Sequence, residues 1–173
     1  MSKVSLEQSR KSIDQIRQNR FRDPVVLVAS GFGIGWIAPA PGTVASLIVA
    51  GGYWWFVSPT SVAIQIATIA FVCLFALITL QVLVRKYGYV DARQIVIDEI
   101  AGVTIALSLL PEVLWVCILA FVLFRLFDIW KPFPIGWIDK TMKSGMGILL
   151  DDLMAGGMAC VIATAAWIIT VET

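Results

Sequence analysis

Five carboxylates stand at the ends of long apolar runs in a chain that carries few other charges there. Asp98 and Glu99 are adjacent, Asp151 and Asp152 are adjacent, and Asp128 lies between Arg125 and Lys131. Charge at the edge of a membrane segment is costly to hold. Neighbouring carboxylates repel unless something positive sits between them, so the pairs suggest a cation site. All-oxygen ligands suit Mg2+, and basic residues beside such a cation suggest phosphate chemistry. Arg125, Asp128 and Lys131 are three apart, which places them close to one face of a helix. Asp128 then reads as a metal ligand, with Arg125 and Lys131 holding a phosphate. The plainer reading is an interfacial ion pair, since snorkelling Arg and Lys are common at helix ends. Each acid pair also has a plainer reading, because an acid at a helix N-terminus is favoured by the helix dipole. A cap needs one acid, however, and both starts carry two. Ala101-Gly102 follows the first pair and Ala155-Gly156-Gly157 the second. Small residues let membrane helices approach closely, which would bring the pairs together. A weaker signal is Pro41-Gly42-Thr43-Val44-Ala45-Ser46, where Thr43 and Ser46 lie at a helix start whose free N–H groups attract anions. An ordinary N-cap role for Thr43 competes with that reading.

The elements that must position these residues are mostly apolar. The chain has 173 residues, 59% of them hydrophobic and only 14% charged, whereas a soluble domain carries about a quarter charged residues. No charged residue occurs between Asp23 and Arg85, and none between Asp152 and Glu172. Apolar runs of this length are too long to be buried together in a small soluble core, so several should cross a bilayer. Cys73, Cys117 and Cys160 fall within those runs and read as small packing residues. The absence of histidine excludes histidine nucleophiles, His–Asp triads and His-ligated metals. No basic stripe with interleaved aromatics points to nucleic acid.

Residues 1–23 are polar and mixed in charge, without the apolar core of a secretory signal, and read as a cytoplasmic extension. Ser5 and Gln8 could form a capping box for a short helix there. Residues 24–41 are apolar but broken by Gly31, Gly33, Gly35, Pro39 and Pro41, which argues for a re-entrant or irregular segment. Five helices are expected to follow: Thr43–Val57, Val62–Val84, Gln94–Pro111, Glu112–Trp130 and Leu150–Val171. The first and third are short for a full span and need tilt, thinning or shielding. Lys and Arg gather in the N-terminal segment and in the loops after the second and fourth helices, and are missing from the opposite side. The positive-inside rule therefore fits five crossings with a cytoplasmic N-terminus, provided the chain turns at Pro111. All five acids would then share one cytoplasmic layer. The expected fold is an all-α polytopic membrane bundle, with residues 24–173 forming the membrane-embedded domain.

Four blocks, GFGIGWIAPAPGTVAS (Gly31–Ser46), IDEIAG (Ile97–Gly102), FRLFDIWKPFPIGWID (Phe124–Asp139) and GMGILLDDLMAG (Gly145–Gly156), occur in an order that resembles the phosphatidylglycerophosphatase A family. Ser144 stands where that family more usually has glycine. The resemblance implies a Mg2+-dependent, multi-pass phosphatase of the bacterial inner membrane. It would hydrolyse the phospholipid phosphatidylglycerophosphate to phosphatidylglycerol and inorganic phosphate at the cytoplasmic face. On that footing Glu99, Asp128 and Asp152 are the expected metal ligands. Asp98 and Asp151 would complete or orient the shell, one of them serving as general base. Arg125 and Lys131 would neutralise charge on the phosphoryl group, with Thr43 and Ser46 as further substrate contacts. Direct attack by water and an aspartyl-phosphate route both remain open. Two rival classes are a CDP-alcohol phosphotransferase, whose long aspartate signature is missing, and a cation transporter, which would carry acids deeper in its helices.

Overall fold

The computed structural model describes residues 3–37, 39–89 and 92–172, with side chains from residue 10 onward. Among these residues all regular structure is helical. The helices are α1 (Lys3–Gln18), α2 (Pro24–Ala29), α3 (Pro41–Gly52), α4 (Val62–Tyr87), α5 (Ile97–Ala106), α6 (Leu114–Trp130), α7 (Ile135–Thr141) and α8 (Gly145–Glu172). Ser5 lies inside α1, so it does not cap that helix, and the side chains of Ser5 and Gln8 lie outside the described residues. The extension nevertheless reaches the core, because Ile16 is fully buried in the cluster formed with α2 and α4.

The glycine- and proline-broken segment is irregular beyond Ala29, but against expectation its first six residues form the regular helix α2. After α2 the chain passes through Gly31, Phe32 and Gly33, all at positive φ, into a single 3-10 turn at Ile34–Trp36. Asp23 caps α2 by accepting from the Val25 N–H at 3.0 Å. It also accepts from the Tyr87 hydroxyl and pairs with Lys86 at 2.7 Å, which ties α2 to the end of α4. The Val96 N–H donates to the Ala29 carbonyl, fastening the broken segment to the loop that precedes α5.

Among the described residues only α4 and α8, of 26 and 28 residues, are long and apolar enough to cross a membrane by themselves. About five spans are expected from the sequence; two helices are long enough, and α3, α5 and α6 fall short of that length. Helix α3 has 12 residues and continues into a five-residue π turn, Tyr53–Val57. Helix α6 has 17 residues. Helix α5 has only 10 residues, about 15 Å at 1.5 Å per residue, half the hydrocarbon thickness. It ends early because Leu109 adopts φ 56° and Pro111 cannot extend it.

The break at Pro111 reverses the chain. Lys131 at the end of α6 reaches Asp151 near the start of α8, and Trp115 at the start of α6 meets Trp167 near the end of α8. Helices α6 and α8 are thus antiparallel. Helices α5 and α8 run parallel: the Gly102 and Gly156 backbones are in close approach, and further along the Cys160 thiol donates to the Ser108 carbonyl at 3.3 Å. A Cβ on Gly102 would lie 2.6 Å from the ring of the fully buried Phe124 and 2.8 Å from the Asp152 carbonyl. The small residues therefore let three helices meet beside the acids, as the sequence pattern requires.

The opposite end is knitted by Gln65, which is buried. Its amide donates to the Ser58 and Thr60 carbonyls at 3.0 and 3.2 Å. Its carbonyl oxygen accepts from the Tyr53 hydroxyl at 3.3 Å and from the Leu109 N–H at 3.2 Å. One amide thereby closes the π turn, the start of α4 and the turn after α5.

Candidate functional site

The acids gather in a cleft of about 240 Å³ lined by Asp98 and Glu99 from α5, Asp128 and Lys131 from the end of α6, Asp139 from α7 and Asp151 and Asp152 from α8. Tyr89 and Arg93 complete its rim. Helix α5 begins at Ile97, so Asp98 and Glu99 occupy its first turn, as expected. The Glu99 N–H donates to the Asp98 carboxylate at 3.1 Å.

Helix α8 departs from expectation. It begins at Gly145, five residues earlier than the sequence suggests, so Asp151 and Asp152 lie in its second turn and not at its N-terminus. The cause is Ser144, whose hydroxyl accepts from the Gly147 N–H at 3.2 Å and so caps the helix. The two acids face inward, buried, and a dipole-capping role does not account for them.

Lys131 adopts a left-handed φ of 48° as it ends α6. Its ammonium lies 2.6 Å from Asp151 and 3.0 Å from Asp139. Burial by itself would lower the Lys131 pKa, but hydrogen bonds to Asp151 and Asp139 and their negative charges raise it above the ordinary lysine value. Lys131 is a cation at every physiological pH. Arg125 pairs with Asp128 at 2.7 Å and does not line the cleft. Both cations that the sequence assigns to phosphate are thus engaged by carboxylates. Asp98, Glu99 and Asp152 have no ion-pair partner among the described residues.

Thr43 and Ser46 do not line the cleft. Helix α3 starts at Pro41 with Ala40 as its N-cap and no side-chain cap bond, so Thr43 is not the cap. Ser46 is fully buried, its hydroxyl without a hydrogen-bond partner. The α3 residue that touches the site is Gly42, where any Cβ would overlap the Glu99 carboxylate. That close approach sets Glu99 against the positive end of α3, a contact the sequence signalled only as a Pro-Gly step. Asp139 is a second residue missed, because the proline-rich turn after α6 hides how its chain returns to Lys131.

Six acids against two cations, Arg93 and Lys131, line the cleft. One oxygen each of Glu99 and Asp151 is buried without a hydrogen-bond partner. This donor set fits a hard divalent cation such as Mg2+, which takes oxygen ligands. As the side chains stand, no group of three or more acids or thiols among the described residues is gathered to hold a metal ion. Asp128 and Asp151 are occupied by Arg125 and Lys131.

The sequence model of the family described as phosphatidylglycerophosphatase A matches residues 27–167, a range that includes every acid of the cleft. The chain belongs to the phosphatidylglycerophosphatase A family. It is 40% identical over 146 residues to the phosphatidylglycerophosphatase A of Haemophilus influenzae, covering 83% of this chain and 88% of that one. It is 36% identical over 140 residues to the phosphatidylglycerophosphatase A of Escherichia coli, covering 79% of this chain and 80% of that one. A Bacteroides thetaiotaomicron protein, provisionally named phosphatidylinositol-3-phosphatase, is 36% identical over 154 residues, covering 83% of this chain and 94% of that one. No solved structure matches. Three segments of the matched range thus converge in space: IDEIAG and LLDDLMAG supply the acid pairs, and FDIWKPFPIGWID supplies Asp128, Lys131 and Asp139.

Proposed function

We infer that this chain hydrolyses phosphatidylglycerophosphate to phosphatidylglycerol and inorganic phosphate, a step of phospholipid synthesis. The observation that carries the reading is the family match across residues 27–167, joined to an acid-lined cleft at one end of apolar helices. A lipid keeps its acyl chains in the bilayer and presents its phosphate where such a cleft opens.

In this reading Glu99, Asp128 and Asp152 hold Mg2+, with Asp98 and Asp151 orienting them. When bound, Mg2+ supplies Lewis-acid polarisation of phosphoryl oxygens and lowers the pKa of a bound water. Asp98 or Asp151 takes the proton of the attacking nucleophile. Lys131 holds Asp151 in place and adds positive charge to a cleft that otherwise repels an anion. Arg125 steadies Asp128 at 2.7 Å and acts on phosphate only if that pair opens.

The membrane arrangement in this reading has five passes, α3, α4, α5, α6 and α8, alternating in direction, with the cleft at the cytoplasmic face. Arg85, Lys86, Arg93, Lys131, Lys140 and Lys143 all belong to the cleft end, and the Gln65 end has no Lys or Arg, in keeping with the positive-inside rule.

The test is release of inorganic phosphate from phosphatidylglycerophosphate by the purified protein, with and without EDTA. Phosphatidylinositol 3-phosphate serves as the second substrate, because the Bacteroides relative bears that name. Phosphate release from the first lipid, abolished by EDTA and restored by Mg2+, is the expected result. No release overturns the phosphatase reading. EDTA-insensitive release overturns the Mg2+ assignment alone.

A further inference from the structure

A second cavity, about 430 Å³, lies away from the acids. Its walls include Leu47 and Gly51 of α3, Leu107 just after α5, and Ile118, Phe121 and Val122 of α6. Leu47, Ile118 and Val122 are more than half exposed, so the groove opens sideways from the bundle. It exists because α3 and α6 both pack on α5 and scarcely on one another.

The groove and the cleft share no lining residue, but the helices beside the groove run on to the acids. Helix α3 touches Glu99 at Gly42 and lines the groove at Leu47 and Gly51. Helix α5 carries Glu99 at its start and leads to Leu107. Helix α6 lines the groove from Leu114 to Val122 and carries Asp128 into the cleft near its end. At about 1.5 Å per residue, Leu47 stands roughly 8 Å beyond Gly42, Leu107 roughly 12 Å beyond Glu99, and Leu114 roughly 21 Å before Asp128. One leaflet of hydrocarbon is about 15 Å deep. The groove therefore covers the depth at which the acyl chains lie when a lipid headgroup rests at the level of the acids.

We propose that the α3–α6 groove is the seat of an acyl chain of the lipid substrate, and that the gap between these helices is the lateral path by which the headgroup reaches the cleft. This rests on the lipid phosphatase reading. Bilayer hydrocarbon is as apolar as the groove, so the groove adds little affinity. Its contribution is orientation: a seated chain fixes how far the phosphate extends past Glu99. Small misplacements at a reacting centre reduce rate by as much as about a hundredfold.

Gly51 allows a clean test, since a Cβ there would meet nothing within 4 Å. Gly51→Phe fills the groove from α3, and Ile118→Trp fills it from α6. Each variant is assayed on long-chain phosphatidylglycerophosphate and on a water-soluble analogue with the same headgroup and very short acyl chains. The expected result is a loss of roughly tenfold or more in kcat/KM on the long-chain lipid, with less than about a twofold change on the short-chain analogue. Equal loss on both, or no loss on either, in protein of unchanged melting temperature overturns the proposal. A change of oligomeric size in either variant assigns the groove to a second copy of the chain and also overturns it. A separate measurement on the unmodified protein follows alkylation of Cys117, which lines the groove, by an apolar maleimide with peptide-level mass spectrometry. Long-chain lipid should slow that labelling and short-chain analogue should not; equal labelling overturns the proposal even where a variant fails to fold. Failure of the unmodified protein to release phosphate from either lipid overturns the phosphatase reading itself, and the acyl assignment with it.

Discussion

Replacing Lys131 by Met should damage this protein in two separable ways. Its ammonium is shared between Asp151 at 2.6 Å and Asp139 at 3.0 Å, and the Asp151 side chain is only 8% exposed. Removing one partner of a buried pair strands a charge and costs about 3–5 kcal/mol. Lys131 itself keeps 31% of its side-chain exposure, so solvent screens part of the interaction and about 2 kcal/mol is the better expectation. For a chain of this size that corresponds to a fall of roughly 4–8 °C in apparent melting temperature. Asp151→Asn on its own should cost less, because a neutral amide tolerates burial better than an unpaired carboxylate. Combined with Lys131→Met, it should recover most of the lost stability, giving a coupling energy of about 1–2 kcal/mol. Phosphate release should not recover, since the double variant lacks both the cation and a cleft carboxylate. Thermal unfolding in a fixed detergent, run beside the phosphate assay on all four proteins, reads both quantities. Additive stability effects, with coupling below about 0.5 kcal/mol, would refute the claim that the pair is held together in the folded protein. Wild-type turnover in Lys131→Met would refute its place in the chemistry.

Three further outcomes follow from other contacts. Gly42→Ala places a methyl group where the Glu99 carboxylate lies and should cost about 1–3 kcal/mol by overpacking; a steep loss of phosphate release is expected, and full activity would show that Glu99 can leave α3 without consequence. Gln65→Leu strands the donors and acceptors that Gln65 now satisfies and should cost about 2–4 kcal/mol, read as a lower melting temperature with the response of phosphate release to EDTA unchanged. Burial would raise the Asp23 pKa, but hydrogen bonds from Lys86, Tyr87 and the Val25 N–H outweigh it and hold it below its ordinary value. Its contribution to stability is then complete above the unfolded pKa of about 4 and is lost as pH falls through the lower folded value; melting curves from pH 6 to 2 should show that loss in the unmodified protein and not in Asp23→Asn.

The helical class, the irregular segment beyond Ala29, the break at Pro111 and the convergence of both acid pairs were legible along the chain. Each depends on local chemistry: apolar run length, glycine and proline at fixed positions, and small residues beside the acids. The extent of α8 was not legible, because Ser144 looks like one more loop residue until its hydroxyl meets the Gly147 N–H. Gln65 looks like a polar interruption in an apolar helix, and its role depends on carbonyls and an N–H brought from two other segments.

The sequence by itself determined which residues are charged in an apolar chain, and hence that Asp98, Glu99, Asp128, Asp151 and Asp152 must be compensated at one end of the bundle. Tertiary structure decided how. Lys131 is clamped between Asp139 and Asp151, Arg125 is spent on Asp128, Thr43 and Ser46 stay outside the cleft, and Gly42 meets Glu99. The physical reason is that charge and hydropathy are properties of single residues read in order. The partner of a charge is chosen by the crossing of helices far apart in the chain, and ångström-scale differences there select which carboxylate meets which cation.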